Sequence, residues 1–294
     1  MMTLNMKLNT GFKYMVMALT ALIVACQPDE QGIGNGLTAT DLDAGFTITE
    51  VAGANNTYLL KANKGYISSN WDLGLTNELN FYAGSNNEEV FFPDAGTYTI
   101  THKVIGIGGA SETVSQQLEV ETSDPVAGNL VRGGKFADAS DHAEWTILNI
   151  SSGGANWTFN TGSATIVAGG WNQQAVYQAI EVVAGREYKI DMFVSGNGNT
   201  DTWFEVMAST VVPVQGSDYA NNVVMGLSTW GEGCALGSFN GWLSSVGCVD
   251  NSYSSSRSNT VTFDTSGTIY LVIKCGGNGT SGITIKNVEM RGTN

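Results

Sequence analysis

Trp230 and Trp242 stand in a stretch, Tyr219 to Tyr253, that also holds Cys234 and Cys248 and is rich in Gly and Ser. It has almost no charge and no sustained helical or strand period, which predicts a long ordered loop. Loops of that length inside compact domains are uncommon and usually functional. A flat indole left exposed wants an apolar partner, so the pair predicts an aromatic platform closed by Tyr253. The competing reading has both rings plugging the end of a core. A Cys234–Cys248 disulfide would close a short loop, stabilising it by roughly 3 kcal/mol, and would pre-order both rings for a ligand. Cys275 ends the apolar run Ile269–Cys275 and reads as a buried thiol, although its pairing with either loop cysteine stays open.

Alternation supplies a second set of candidates. Successive strand side chains point to opposite faces. Between Trp171 and Val182, the apolar Val176, Ile180 and Val182 mark the core side, which turns Trp171, Gln173, Tyr177 and Glu181 outward. Between Thr202 and Ala208, inward Phe204, Val206 and Ala208 turn Trp203, Glu205 and Met207 outward. Between Arg186 and Val194, inward Tyr188, Ile190 and Val194 turn Lys189 and Asp191 outward. Rings beside Gln, Glu, Asp and Lys suit a sugar, whose C–H face stacks while its hydroxyls take hydrogen bonds. The plainer alternative is a solvated sheet face with chance aromatics.

Chemistry of other kinds is missing. The chain has no GxSxG, HExxH, P-loop or CxxC pattern. Its two histidines argue against a His-based triad. Glycoside hydrolysis needs two carboxylates flanking one bond. Glu205 and Asp191, read as neighbours on one face, are the pair that could serve. The formal charge of −14, from 13 basic and 27 acidic residues, argues against nucleic acid. It also disfavours anionic polysaccharides.

The elements that must position these residues are β-strands. Short runs rich in Thr, Val, Ile and Tyr recur between Gly/Asn/Ser clusters, and 37 glycines against four prolines predict an all-β chain. The 294 residues fit two modest domains. Residues 1–25 read as a removable leader: Lys7 and Lys13 precede a short apolar run, Val16 to Ala25, that is too short to span a bilayer in the usual way. Its removal leaves 11 basic and 27 acidic residues, a net charge of −16. Residues 26–37 form a flexible tether, 38–122 a small β-sandwich, 123–128 a linker and 129–294 a second β-domain.

Three resemblances attach to particular residues. Leu22-Ile-Val-Ala-Cys26 resembles the lipobox of bacterial lipoproteins, which implies lipidation of Cys26, and Asp29–Glu30 resembles the surface-export signal of Bacteroidota-type lipoproteins. Trp71-Asp-Leu-Gly74 and Asp94-Ala-Gly-Thr-Tyr-Thr-Ile100 resemble the polycystic-kidney-disease (PKD) type of immunoglobulin-like domain, although Leu75 and Thr76 stand where that family has Asp-Gly. That resemblance implies a spacer with Trp71 and Tyr98 in its core. Asn129-Leu-Val-Arg-Gly-Gly-Lys-Phe136, Trp145-Thr-Ile147, Ala175 to Tyr188 and Ile283 to Met290 resemble family 4/9-type carbohydrate-binding modules. Only 210–259 lies outside that pattern. It implies a β jelly roll with one sheet face forming a concave ligand surface.

Many members of that family bind structural calcium. Here Lys286 stands where the family has an Asp and Ala137 where an acid is common, leaving Asp138 or Asp141 as ligands; no other cofactor is expected. Together the three resemblances imply a non-catalytic surface glycan-binding lipoprotein of starch-utilisation-like systems, anchored in the outer membrane and facing outward. Its expected partners are a glycan importer and surface glycosidases, and its expected ligand is a neutral β-glucan such as laminarin. The alternatives are an adhesion lipoprotein whose jelly roll binds protein, and a weak glycosidase.

Overall fold

A computed structural model describes residues 41–293, except 67 and 77. The leader, Cys26 and the tether to residue 37 lie outside the described residues. The protein is built almost wholly from strands, arranged as an immunoglobulin-like sandwich followed by a jelly roll.

In the first sandwich, β1 (Phe46–Glu50), β2 (Thr57–Ala62) and β5 (Asn87–Phe91) form one sheet. The other sheet has the order β4-β3-β6-β7, from β3 (Ser68–Asp72), β4 (Tyr82–Gly84), β6 (Gly96–Ile105) and β7 (Ser111–Val120). Trp71 is fully buried with Leu60, Ile100 and Val104. Its ring stacks on His102 with centroids 4.0 Å apart, and Phe46 meets it edge-on at 5.2 Å. Tyr98, expected in the same core, is only half-buried. The Trp-Asp-Leu-Gly run makes a tight turn, in which Asp72 Oδ1 accepts from the Gly74 N–H at 3.1 Å. Gly74 has φ +67°, and a Cβ there would stand 2.7 Å from the Thr99 carbonyl oxygen, so glycine is required. His102 lies between Ala44 O (2.8 Å) and Ser69 Oγ (3.0 Å), with no metal-binding cluster among the described residues.

The chain divides into two compact units. Among the described residues, one comprises those up to Thr49, Leu59–Glu89 and Tyr98–Leu118; the other comprises Glu50–Tyr58, Val90–Thr97 and those from Glu119 onward. The division therefore runs through the first sandwich, cutting β1, β2, β5, β6 and β7.

The jelly roll contains α1 (Ala139–Ala143), β8 (Thr146–Asn149), β9 (Ala155–Asn160), β10 (Ser163–Val182), β11 (Glu187–Gly196) and β12 (Thr200–Ser209). It continues with β13 (Val223–Ser228), β14 (Phe239–Trp242), α2 (Leu243–Val246), β15 (Thr260–Thr262), β16 (Gly267–Gly279) and β17 (Ile283–Gly292). The long strand β10 serves both layers. Its first part pairs with β9 and β17, and its part from Asn172 pairs with β8 and β16. Between them the register shifts at Gly169/Asn172, where Gly170 and Trp171 take φ of +62° and +65°. A bulge of this kind bends the strand and lets it turn a corner. The front sheet is therefore β8-β10-β16-β12-β13, and the back sheet is β9-β10-β17-β11-β14, with β15 also on β11.

One apolar core lies between the layers. The front sheet contributes Val176, Ile180, Phe204 and Val206, and the back sheet contributes Ile166, Tyr188, Ile190 and Val194. Each such side chain gains about 1.5–3 kcal/mol by burial.

The Tyr219–Tyr253 stretch is not a single irregular loop, since it supplies β13, β14 and α2 and passes from the edge of the front sheet to the edge of the back one. Lys189 and Asp191, on β11, do not share a face with Trp203 and Glu205 on β12. Alternation gives the direction of each side chain relative to its own sheet. It does not say which strands share a sheet.

Candidate functional site

The front sheet's outer face can be followed in rows across β12, β16 and β10. Trp203 and Gln173 are both in register with Gly276; in the next row Glu205 and Ala175 flank Lys274; then Met207 and Tyr177 flank Val272. The first row is partly open, with Trp203 and Gln173 half-buried and Gly276 covered. A Cβ on Gly276 would collide with the Trp203 ring and stand 2.7 Å from Gln173 Cβ, so the missing side chain lets the indole lie across β16. Trp230, just beyond β13, has its ring 6.0 Å from that of Trp203, tilted by 37°, and is 49% exposed.

Trp171 lies at the same end of the sheet, beside Asn172, which like Thr202 is in register with Gly277. It is 57% exposed. The bulge, not strict alternation, sets its position, and Asn172 Nδ2 holds that bulge by donating to Gly169 O at 2.7 Å. A positive φ at a bulky residue is strained, and such strain collects at functional sites.

The second and third rows are covered. Lys274 is 3% exposed on this outer face. Its Nζ reaches Glu205 Oε2 at 3.1 Å, Asp218 Oδ1 at 3.2 Å and Tyr219 O at 2.7 Å. A buried cation needs such partners, so Glu205, expected as a hydrogen-bonding group for ligand, is committed to Lys274 instead. The interaction also holds residues 210–222 down over the sheet. Tyr219 packs with Leu148, Ala175, Met207 and Val272 in a second small core, and its hydroxyl donates to Val211 O at 2.8 Å. Burial pushes the Tyr219 hydroxyl up to about 12.

Met207, expected outward, is accordingly buried, and Tyr177 packs against this cluster with its ring 6.2 Å from that of Tyr270. The sequence carried a signal for this cover. Lys274 falls on the outward phase of an otherwise apolar strand, between Tyr270, Val272 and Gly276.

The remaining candidates lie elsewhere. Tyr253 donates to Ala208 O at 2.7 Å and accepts from Asn222 Nδ2 at 3.1 Å, at the other end of β12 from Trp203. Burial raises its hydroxyl above the ordinary tyrosine value. Trp242 belongs to the back sheet, in register with Phe193, and the two rings meet at 6.1 Å and 81°. Cys234 and Cys248 form a disulfide, and Cys275 is a buried free thiol. The Cys248 N–H donates to Gly226 O at 3.0 Å, which ties the crossing segment back to β13. Burial pushes the Cys275 thiol up to about 12.

Asp138 is the N-cap of α1, with Oδ1 accepting from the N–H groups of Ser140 and Asp141, and Asp141 Oδ2 accepts from the Ala137 N–H at 2.7 Å. Calcium requires six to eight oxygen ligands. Among the described residues no group of three or more His, Cys, Asp or Glu gathers to hold a metal, and both carboxylates are engaged by backbone N–H groups. Glu205 and Asp191, on different sheets, do not flank one site. Asp191 stands opposite Glu289 in the β11–β17 register, but Glu289 pairs with Arg291 at 2.9 Å and Asp191 accepts from the Ser244 hydroxyl at 2.5 Å.

No family model matches the chain, and no curated protein matches it. Among solved structures it is similar to a carbohydrate-binding module of the β-sandwich superfamily described for promiscuous specificity. That match has 14% identity, covers 84% of this chain and 96% of the other, and has a TM-score of 0.32. A structure described as CBM4 structure and function matches at 17% identity over 55% of this chain and 99% of that one, with a TM-score of 0.33. The enzymatically active domain of tailspike protein 4 of bacteriophage CBA120 matches at 12% identity over 60% of this chain and 22% of that one, with a TM-score of 0.36. Likenesses this distant carry no argument about activity.

Proposed function

We propose that this protein is a non-catalytic glycan-binding lipoprotein that captures a neutral polysaccharide, in the first instance a β-glucan such as laminarin, at the open end of the jelly roll's front sheet. The observation that carries the reading is the Trp203 ring, lying across Gly276 beside Gln173 and 6.0 Å from Trp230. Two adjacent indoles offer stacking faces for successive sugar rings, and Gln173 offers a donor and an acceptor for their hydroxyls. Trp171 extends the same end of the sheet. The commitment of Glu205 to Lys274 and the separation of Glu205 from Asp191 support a binding role over hydrolysis.

The lipobox at Cys26 supports an outer-membrane anchor, with the first sandwich as a spacer and a glycan importer and surface glycosidases as partners. The adhesion alternative is favoured by one feature, the exposed Val211, Val212 and Val214 at the tip of the covering loop. Affinity electrophoresis against soluble glycans separates the two, since retardation by polysaccharide is expected for the first and none for the second. Cys26→Ser is expected to shift the protein from the membrane to the soluble fraction; unchanged fractionation would remove the anchor from the account.

A further inference from the structure

We propose that the outward face of the back sheet is a second saccharide site, separate from the Trp203 platform and built for an uncharged, hydroxyl-rich chain. The inference takes its ligand class from the reading above, but none of its residues. One row across five strands is Thr158, Thr165, Thr284, Ser195 and Asn240, each in register with the next. All five side chains are uncharged and can both give and take hydrogen bonds. Thr165 and Thr284 join their hydroxyls at 2.9 Å. A depression of about 510 Å³ lies over this row, lined by Thr165, Ser195, Asn240 and Thr284 together with Asn197 and Ser281.

The next row along the strands holds two rings and one exposed lysine. Phe193 is in register with both Lys286 and Trp242, and Trp242 is 40% exposed with its ring fixed edge-on against Phe193. Beyond it lies a second depression, of about 390 Å³, lined by Trp242, Lys189, Asp191, Ser244, Glu289 and Arg291. Its charges cancel: two cations face two acids, and Arg291 is paired with Glu289 at 2.9 Å and with Asp94 at 2.7 Å. Neither an anion nor a cation is favoured there, whereas a ligand with many hydroxyls finds acceptors and donors throughout.

Both volumes fall in the range of small-molecule sites, and one exposed indole separates them. From Ser195 to Asp191 is roughly 13 Å along β11, enough for an oligosaccharide that stacks on Trp242 and fills both sides. The disulfide adds a physical link between the two faces. Trp230 precedes Cys234 and lies by the front sheet, while Trp242 lies between Cys234 and Cys248 and docks on the back sheet.

Calorimetric titration of the full chain with laminarihexaose, cellohexaose and maltohexaose, separately, tests the inference. At least one probe is expected to fill two sites per chain. Trp242→Ala should weaken one of them at least ten-fold and leave the other, Trp203→Ala should do the converse, and the double variant should bind nothing. Asn240→Ala, which removes an exposed amide and no core volume, should weaken the same site as Trp242→Ala, and it decides the matter if Trp242→Ala lowers the melting temperature. Unchanged affinity and stoichiometry in both Trp242→Ala and Asn240→Ala, for every probe, would overturn the second site and leave the front platform standing. Loss of all binding in Trp242→Ala with none in Trp203→Ala would instead sink the front platform and leave this site. No binding of any probe to the unaltered chain would overturn both.

Discussion

The two outer faces of the jelly roll solve the same problem in opposite ways. Each is a sheet with an apolar inner side and an outer side that meets water. On the front sheet most of the outer side is taken up by the protein itself, since residues 210–222 fold down over it, held by Lys274 and packed by Tyr219. What remains partly open is one row, built from Trp203, Gly276 and Gln173. On the back sheet no comparable cover is seen among the described residues, and the face is paved with hydroxyls, amides and cancelling charges around one indole. The contrast teaches that a candidate ligand face is defined as much by what covers it as by which side chains alternate outward.

The largest expected effect comes from making one substitution on both faces. Lys274→Met leaves Glu205 and Asp218 without their buried cation and should release the 210–222 cover. A loss of about 3 kcal/mol is expected, measured by denaturant unfolding: three charge-assisted bonds to Glu205, Asp218 and Tyr219 O are lost, offset in part by the desolvation cost that Lys274 no longer carries. Lys189→Met, on the exposed back face, should stay within about 0.5 kcal/mol. Equal effects would mean that the front cover is not held by Lys274.

This contrast also marks how far the sequence could be read. Val176/Ile180/Val182 and Phe204/Val206/Ala208 identified the inner faces because a half-buried strand has a period of two. The same reading could not see that β10 changes layers, because the Gly169–Asn172 bulge breaks the period and a strand pattern carries no record of its neighbours. Trp203 was legible as an outward ring, but the ring's place across Gly276 depends on a register between strands far apart in sequence. The ion pair of Glu205 is not legible from alternation, because its partner, Lys274, lies 69 positions further along the chain. An Asp followed by Ala-Ser-Asp is also an N-cap signal, and Asp138 takes that role. Closeness in sequence groups Tyr253 and Trp242 with Trp230, yet β13 and β14 carry that stretch to two different sheets.

The next effect in size concerns the bond that serves both faces. Cys234→Ser removes a constraint worth about 3 kcal/mol in the chain-entropy model. It should loosen Trp230 on one face and Trp242 on the other, so glycan affinity at both should fall more than overall stability does. Mass spectrometry of the folded protein should find Cys275 as a free thiol; its appearance in the bond would change the pairing and remove the link between the faces.

The smallest effect separates the jelly roll from the first sandwich. Burial holds the His102 imidazole below its ordinary value of 6.5, although Ala44 O and Asp43 pull the other way. The unfolded chain therefore takes up the proton first, and stability present above about pH 6.5 is lost as pH falls from there toward the folded value. His102→Gln should flatten that pH dependence. Glycan affinity of the jelly roll should not follow it; if the two fell together, the two functions would be coupled.

The central claim is that Trp203, lying across Gly276, is a stacking surface for a sugar ring. It is tested most directly by measuring glycan affinity and unfolding free energy on Trp203→Ala. The account predicts an affinity loss of about 1–3 kcal/mol, in the range of a truncated hot-spot aromatic, with a stability loss well below the 3–5 kcal/mol of a buried indole. Unchanged affinity in a variant that has lost that much stability would contradict it.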